Sequence, residues 1–253
     1  METAVPAPAA QPPFSAGTVI SRSVSVWAEN VVAFSAVLLV LHTPNLVLSL
    51  LAGPGPGALS PTTFALLNGV NGILSGLVSF VGTGALTYGV LQSLRGTRVG
   101  AGGLLGFGFR KLWPVLVVSF GAGIRIFLWS LLFLVPGILA ACRYFVAVAA
   151  EVAEPQLGPG EAISRSSTLT KGHRGAIFVT MFVFWIVSVA TGVLVGVVGL
   201  RAGVIPFSLA TALTWLVTTI VGGLWATACG VAYHDLRVEK EGADTAQLAA
   251  VFE

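Results

Sequence analysis

The fold depends on how one long apolar stretch is divided, residues 112–153, LWPVLVVSFGAGIRIFLWSLLFLVPGILAACRYFVAVAAEVA. A helix needs about 20 residues to cross a hydrocarbon core about 30 Å thick. The stretch has about 42 residues, and Pro136-Gly137 lies inside it as a helix-breaking residue followed by a flexible one. We therefore predict two membrane spans joined by a tight hairpin at Pro136-Gly137.

The distribution of basic residues supports this division. With the amino terminus on the inner side and six spans, only Arg201 falls on the outer side, whereas a single span at 112–153 would move Arg165, Lys171 and Arg174 outward. The basic residues that fall on the inner side are Arg22, Arg95, Arg98, Arg110, Lys111, Arg165, Lys171, Arg174, Arg237 and Lys240. The six spans are predicted near residues 31–51, 66–94, 112–135, 138–153, 176–200 and 205–233.

Composition places the whole chain in the membrane class. Of 253 residues 55% are hydrophobic and 9% charged, with a mean hydropathy of +0.92, whereas a soluble domain carries about a quarter charged residues. We expect an all-α integral membrane protein with a disordered leader at 1–13, a six-helix domain at 14–237 and a cytoplasmic tail at 238–253. Cys142 and Cys229 fall in different spans and indicate neither a disulfide nor a metal site.

A repeated tetrapeptide suggests internal repetition. The letters ISRS occur at 20–23 and at 163–166, and an offset of 143 residues aligns the segments that begin at Ala16 and Pro159. A fainter copy begins at Ala101, at an offset of 85, and each copy runs directly into a span. The chain is predicted to contain three copies of one unit, a short helix followed by a helical hairpin.

The short helices are predicted to be amphipathic and to lie in the inner headgroup layer. Wound at 3.6 residues per turn, the first two present matching faces with Arg22 and Arg165 on the opposite side. Cations on such helices attract anionic lipid. The matching faces are Val19, Ile20, Ser23, Val26 and Trp27 in the first helix, and Ala162, Ile163, Ser166, Leu169 and Thr170 in the second. The lipid-facing basic residues are expected to be Arg22, Arg165, Lys171 and Arg174.

Charged residues within the spans form a second candidate site. Counted from the Pro136-Gly137 turn, Arg125 and Glu151 lie at similar depth, so we expect them to form a buried pair. Arg143 is expected nearer the outer side with His42 as a partner, and Glu154 is the fourth buried ionic residue. Such groups either tie helices together or line a path for a solute, and we favour the structural role.

Small residues indicate close helix packing. Gly72 and Gly76 in the second span, and Gly192 and Gly196 in the fifth, are spaced as in helices that approach closely within a membrane. We expect these glycines to serve packing within one chain, with homo-oligomerisation as the alternative.

Three segments, residues 135–154, 159–178 and 231–244, resemble the membrane domain found ahead of the catalytic barrel in some glycerophosphoryl diester phosphodiesterases. The likeness covers about residues 14–245, including Pro136-Gly137, the EAISRSSTLTKG run and Tyr233. It implies a helical membrane domain of largely unknown function. The triplet His173-Arg174-Gly175 matches the start of that family's barrel, but no Glu-Asn pair follows it closely and no segment is long enough for a barrel.

We therefore predict a non-catalytic protein of a bacterial plasma membrane, an accessory or membrane-organising factor that engages anionic phospholipid at the inner face. The alternatives are a transporter or channel component using Arg125 and Arg143, or a membrane partner of a lipid-pathway phosphodiesterase. Expected partners are membrane phospholipids, with a second copy or another protein at the cytoplasmic face as further candidates. No cofactor, metal or nucleic acid is expected.

Overall fold

The structure is a computed structural model that describes residues 14–53, 59–200 and 206–242. The predicted all-α architecture is confirmed. The helices of the described residues are α1 Ala16–Glu29, α2 Val31–Ala52, α3 Pro61–Leu94, α4 Ala101–Arg110, α5 Leu112–Leu132, α6 Leu134–Tyr144, α7 Ala147–Ala153, α8 Pro159–Leu169, α9 Arg174–Leu200 and α10 Phe207–Glu241.

The prediction of six membrane-spanning helices is confirmed. Six helical segments are long and apolar enough to cross a bilayer, and α6 and α7 together make one of them. Large apolar side chains cover the outside of these segments; Phe133, for example, is 72% exposed. Such a surface requires lipid around it. The chain is a multi-pass membrane protein whose spans are Val31–Ala52, Pro61–Leu94, Leu112–Leu132, Leu134–Ala153, Arg174–Val195 and Phe207–Glu241.

The turn between the third and fourth spans lies three residues before its predicted position. The break is at Phe133, whose backbone is extended at φ −162° and ψ 156°. Pro136 and Gly137 belong to the first turn of α6, where Gly137 N–H donates to the carbonyl of Phe133. The prediction was wrong in this detail because proline is tolerated in a first helical turn, where its missing N–H would have no partner anyway.

The predicted repeat is visible in the order of the helices. Helices α1, α4 and α8 begin at Ala16, Ala101 and Pro159, the starting points predicted from the offsets of 85 and 143 residues. Each of them is followed by two spans: α2 and α3, then α5 and the α6–α7 segment, then α9 and α10.

The predicted faces of α1 and α8 are buried, but against protein. Val19 and Ala162 are both fully buried, α1 packs against α10 and α9, and α8 packs against α7 and α5. The close approach of α1 depends on Gly223 of α10, because a Cβ there would collide with the ring of Trp27. The prediction that these faces rest in the headgroup layer is therefore wrong, since other helices already cover them.

Three of the four glycines predicted to serve helix packing have no close neighbour in the described part of the chain. A Cβ added at Gly72, Gly76 or Gly192 would meet no atom within 4 Å, so the predicted close approach is wrong for these three residues. The surroundings of Gly196 are not described. Glycine does serve packing at Gly108 of α4, where a Cβ would lie 2.6 Å from the carbonyl oxygen of Val81 in α3. Homo-oligomerisation stays a prediction.

The ends of the domain fall largely outside the described residues. The predicted leader at 1–13, Arg201 and tail residues 243–253 are not described. Helix α10 continues without interruption past the predicted domain boundary at 237 and ends at Glu241. Cys142 and Cys229 are both buried with free thiols.

Candidate functional site

The carboxyl-terminal part of α10 carries acidic side chains that pair with the arginines of the two ISRS helices. Arg22 Nη1 lies 2.5 Å from Asp235 Oδ1, and Arg165 Nη2 lies 2.5 Å from Glu241 Oε1. Arg165 Nε also donates to Glu154 Oε1 at 3.0 Å. We call these five residues the ionic cluster. It joins α1 and α8 to α10, and it neutralises two of the cations predicted to face lipid.

Glu154 is the most constrained member of the ionic cluster. It is buried, as predicted, directly after α7, and it accepts hydrogen bonds from the Tyr233 hydroxyl and from Arg165. Burial alone would raise the pKa of this carboxyl, but the two hydrogen bonds and the positive charges of Arg165 and Arg237 together outweigh burial and hold the pKa below its ordinary value. Burial would likewise lower the pKa of Arg165, yet its bonds to Glu154 and Glu241 raise it. Both groups are therefore stabilised in their charged forms.

The predicted pair of Arg125 and Glu151 does not form. Glu151 is buried, as predicted, but its charged neighbour is Lys111, at 3.7 Å between Nζ and Oε1. Arg125 is exposed on α5, and its Nη1 donates to the carbonyl of Gly121 at 2.8 Å. Equal depth along the two helices did not predict the pair correctly, because the two side chains must also face each other across the hairpin. Arg125 points outward instead.

Arg143 is also exposed, and its partner is not the predicted His42. Its Nε donates to Ser167 Oγ at 2.6 Å, while His42 Nδ1 bonds to the carbonyl of Leu38 in its own helix. The backbone carbonyl of Arg143 accepts from Ser166 and Thr170, at 3.0 and 3.2 Å. The hydroxyl-rich α8 segment therefore holds α6 in place at Arg143.

Two arginines line one pocket at the surface of the bundle. The pocket has a volume of about 170 Å³ and is lined by Arg143 and Arg174 together with four mostly apolar residues, Trp129, Pro136, Leu139 and Ala140. Trp129 and Leu139 are each 48% exposed, so the pocket opens on the lipid-facing side. Arg174 Nε is buried and has no hydrogen-bond partner among the described residues. We call this site the arginine pocket.

The four predicted lipid-facing cations therefore fall into two groups. Arg22 and Arg165 already have acidic partners in the ionic cluster, so their charges are balanced within the protein, and their contact with lipid stays a prediction. Lys171 is exposed, and its carbonyl accepts from Lys240 Nζ at 2.6 Å, while Arg174 lines the arginine pocket. Contact of Lys171 and Arg174 with lipid stays a prediction.

His173, the first residue of the phosphodiesterase-like triplet, lies in the turn between α8 and α9. Its ring meets the edge of Phe14 with centroids 5.3 Å apart, and Nε2 lies 3.7 Å from Glu239 Oε1. These contacts tie the start of the described chain to α10.

Sequence reasoning missed the partners Lys111, Asp235 and Glu241. One signal could have identified the last two: α10 has 35 residues, far more than a bilayer requires, so its final turns extend beyond the hydrocarbon and can meet the short helices. Lys111 had no comparable signal, because it follows α4 and lies 40 residues from Glu151.

Comparison of the chain with protein-family models, with curated proteins and with solved structures returned no match. The resemblance to the phosphodiesterase membrane domain, and with it a role as partner of such an enzyme, stays a prediction.

Proposed function

We propose that this chain is a non-catalytic protein of a bacterial plasma membrane, with both termini in the cytoplasm, that acts as an accessory or membrane-organising factor by holding an anionic phospholipid at its surface. The observation that carries the proposal is the arginine pocket, in which Arg143 and Arg174 lie beside an apolar wall at the lipid-facing surface. Guanidinium groups bind phosphate through charge-assisted hydrogen bonds.

The position of the pocket suits a lipid headgroup. Arg174 is the first residue of the α9 span, so it lies where the hydrocarbon begins on that helix. The exposed Trp129 and Leu139 provide an apolar surface for the upper part of an acyl chain. A phosphate at the level of Arg174 and a chain along Trp129 would satisfy the polar and apolar parts of the pocket together.

The charge balance of the site also supports an anionic ligand. The ion pairs found among the described residues include neither Arg143 nor Arg174, whereas Glu154, Asp235 and Glu241 are all engaged by other cations. Arg143 is oriented by the neutral hydroxyl of Ser167 and so keeps its positive charge for a ligand. An arginine at the boundary of the hydrocarbon is stabilised electrostatically by a neighbouring phosphate.

The test is lipid retention by the purified protein in nanodiscs that contain phosphatidylcholine and phosphatidylglycerol. Changing both Arg143 and Arg174 to Gln should reduce the retained phosphatidylglycerol by about tenfold, in line with loss of about 1 kcal/mol or less per cation. Native mass spectrometry measures the bound lipid, and the change of both Arg95 and Arg98 to Gln, which removes two exposed cations after α3, is the matched control.

Two outcomes would count against the proposal. Unchanged retention in the double variant of Arg143 and Arg174 would show that the pocket does not hold the lipid. Equal loss when both Arg95 and Arg98 are changed to Gln would show that only the net charge of the protein matters.

A further inference from the structure

A second cavity lies in the middle of the bundle, between α2, α3 and α10. It has a volume of about 290 Å³, and its lining includes the imidazole of His42 and hydroxyls from two helices. His42 is the twelfth residue of the 22-residue helix α2, so the cavity lies near the middle of that span. Its polar lining residues are His42, Ser75, Ser79, Thr83, Thr218 and Thr219.

The hydroxyls on α3 follow the helical repeat. Ser75, Ser79 and Thr83 are spaced by four residues and so lie on one face, and Thr87 continues the same row one turn further. Thr87 is fully buried, and its Oγ1 has no hydrogen-bond partner among the described residues. The row therefore ends on a buried hydroxyl that the described protein leaves unsatisfied.

The opposite end of the polar region shows the same feature. Asn45 lies one turn beyond His42 on α2, and its Nδ2 donates to Asn71 Oδ1 at 2.8 Å. Its own Oδ1 is buried without a partner in the described part of the chain. Asn45 and Thr87 do not line the cavity, but each lies one turn beyond a lining residue on its helix. Buried polar groups are normally hydrogen-bonded, so the polar region around the cavity has more hydrogen-bonding capacity than the described protein satisfies.

The lining defines the chemistry of a ligand. His42 Nδ1 lies 3.0 Å from the carbonyl oxygen of Leu38, which can only accept, so Nδ1 is the donor of this bond and the other ring nitrogen, Nε2, is left for a ligand. Among the residues that the structure describes, none that lines the cavity is Asp, Glu, Lys or Arg, so a charged ligand would find no counter-ion there at this depth. Leu38, Leu86 and Ala226 supply an apolar wall.

We propose that this cavity is a hydrated binding site for an uncharged, hydroxyl-bearing group. Two sources supply this chemistry, a small polyol from the aqueous phase and the hydroxyl head of a neutral lipid. Ser79 on α3 and Thr218 and Gly222 on α10 are exposed, so the cavity opens between these helices, a route that a lipid can use directly. The site is separate from the arginine pocket and does not depend on anionic lipid.

The first test measures water in the cavity by the reactivity of a cysteine. In a background with Cys142→Ala and Cys229→Ala, Ser79→Cys is reconstituted in liposomes and treated with 2-hydroxyethyl methanethiosulfonate, an uncharged hydroxyl-bearing reagent that requires a thiolate. Ser79→Cys should react at least about tenfold faster than Ile73→Cys, a control on the same helix whose native side chain is 70% exposed outside the cavity. Equal rates would overturn the hydrated site. Thr219→Cys replaces Ser79→Cys if the latter does not fold.

The second test measures protection by three probes: glycerol, dioctanoylglycerol added to the bilayer, and tetramethylammonium. At least one of the hydroxyl-bearing probes should slow modification of Ser79→Cys, and tetramethylammonium should not. Protection by glycerol alone identifies a polyol site, and protection by dioctanoylglycerol alone identifies a lipid site. Protection by neither, or equally by tetramethylammonium, overturns the proposal.

A pair of isosteric variants ties this protection to the cavity. Thr83→Val removes a lining hydroxyl with little change in shape and should weaken protection several-fold. Thr191→Val, on α9 away from the cavity, should leave protection unchanged. The same protection in both variants would show that the probes act elsewhere.

Discussion

The two ISRS helices, α1 and α8, have the same local sequence but different partners. Both arginines bind acidic residues of α10, yet Arg22 pairs with one carboxylate whereas Arg165 bridges Glu154 and Glu241. The serines that follow them differ more: Ser23 donates to the carbonyl of Val19 in its own helix, and Ser166 donates to Arg143 in α6. A repeated sequence therefore produces the same helix, while the surrounding helices decide how its polar groups are used.

The largest expected difference in the free energy of unfolding is between variants of the two arginines, Arg165 and Arg22. Arg165→Gln should lower the free energy of unfolding by about 2 kcal/mol, because it leaves the buried Glu154 without its cation. Arg22→Gln should cost about 1 kcal/mol, because the Arg22 side chain is 37% exposed and Asp235 keeps His234 as a neighbour at 3.2 Å. Unfolding of both variants in the same detergent measures the difference, and equal losses would contradict it.

A smaller effect is expected from the titration of Glu154. Its folded pKa lies below the ordinary value of 4.5, so its contribution to stability is complete above pH 4.5 and disappears as the pH falls through the folded pKa. The stability advantage of the native protein over Glu154→Gln should therefore be constant from pH 7 to 5 and shrink in more acidic solution. Melting temperatures across this range provide the measurement.

The control for this pH dependence comes from the other ISRS helix. Glu29 is exposed on α1 and accepts a hydrogen bond from Ser25, so Glu29→Gln removes one carboxylate at the surface without touching the ionic cluster and is the matched variant for the same pH series. An advantage over Glu154→Gln that grows in acid would contradict the assigned direction of the pKa shift.

The smallest expected difference in stability is between alanine variants of the two serines, Ser166 and Ser23. Ser166→Ala should cost about 1 kcal/mol, because it removes a buried bond between helices and leaves the Arg143 carbonyl with Thr170 alone among its hydroxyl partners. Ser23→Ala should cost less than about 0.5 kcal/mol, because Ser23 bonds to Val19 within the same helix and the carbonyl of Val19 already accepts a backbone hydrogen bond there. Thermal unfolding of the two alanine variants compares them, and a larger loss in Ser23→Ala would contradict the interpretation.

Sequence reasoning was most successful where a pattern is local. The spans at Val31–Ala52 and Arg174–Val195 follow from runs of apolar residues, and the buried faces of α1 and α8 follow from helical periodicity. The hairpin lies at Phe133 and not at the predicted Pro136-Gly137. The prediction missed because a proline can follow the end of one helix or stand in the first turn of the next, and the sequence alone does not distinguish the two.

The candidate site was harder to predict than the fold. Glu151 and Glu154 were correctly expected to be buried. Arg125 was predicted from depth alone to pair with Glu151, but the cation beside Glu151 is Lys111. The arginine pocket could not be found from spacing, because Arg143 and Arg174 are 31 residues apart and meet only when α6 and α9 pack together.

The sequence by itself determined that this is an all-α membrane protein with six spans, that short helices begin at Ala16, Ala101 and Pro159, and which faces α1 and α8 bury. These properties depend on hydrophobicity and on a period of 3.6 residues, both of which are read along the chain. Only the tertiary structure decided that the faces cover protein, that Arg22 meets Asp235 across 213 residues of sequence, and that two arginines share a pocket. The partner of a charge depends on how each helix is rotated about its axis and on which helices are neighbours, and both are fixed by packing of the whole bundle.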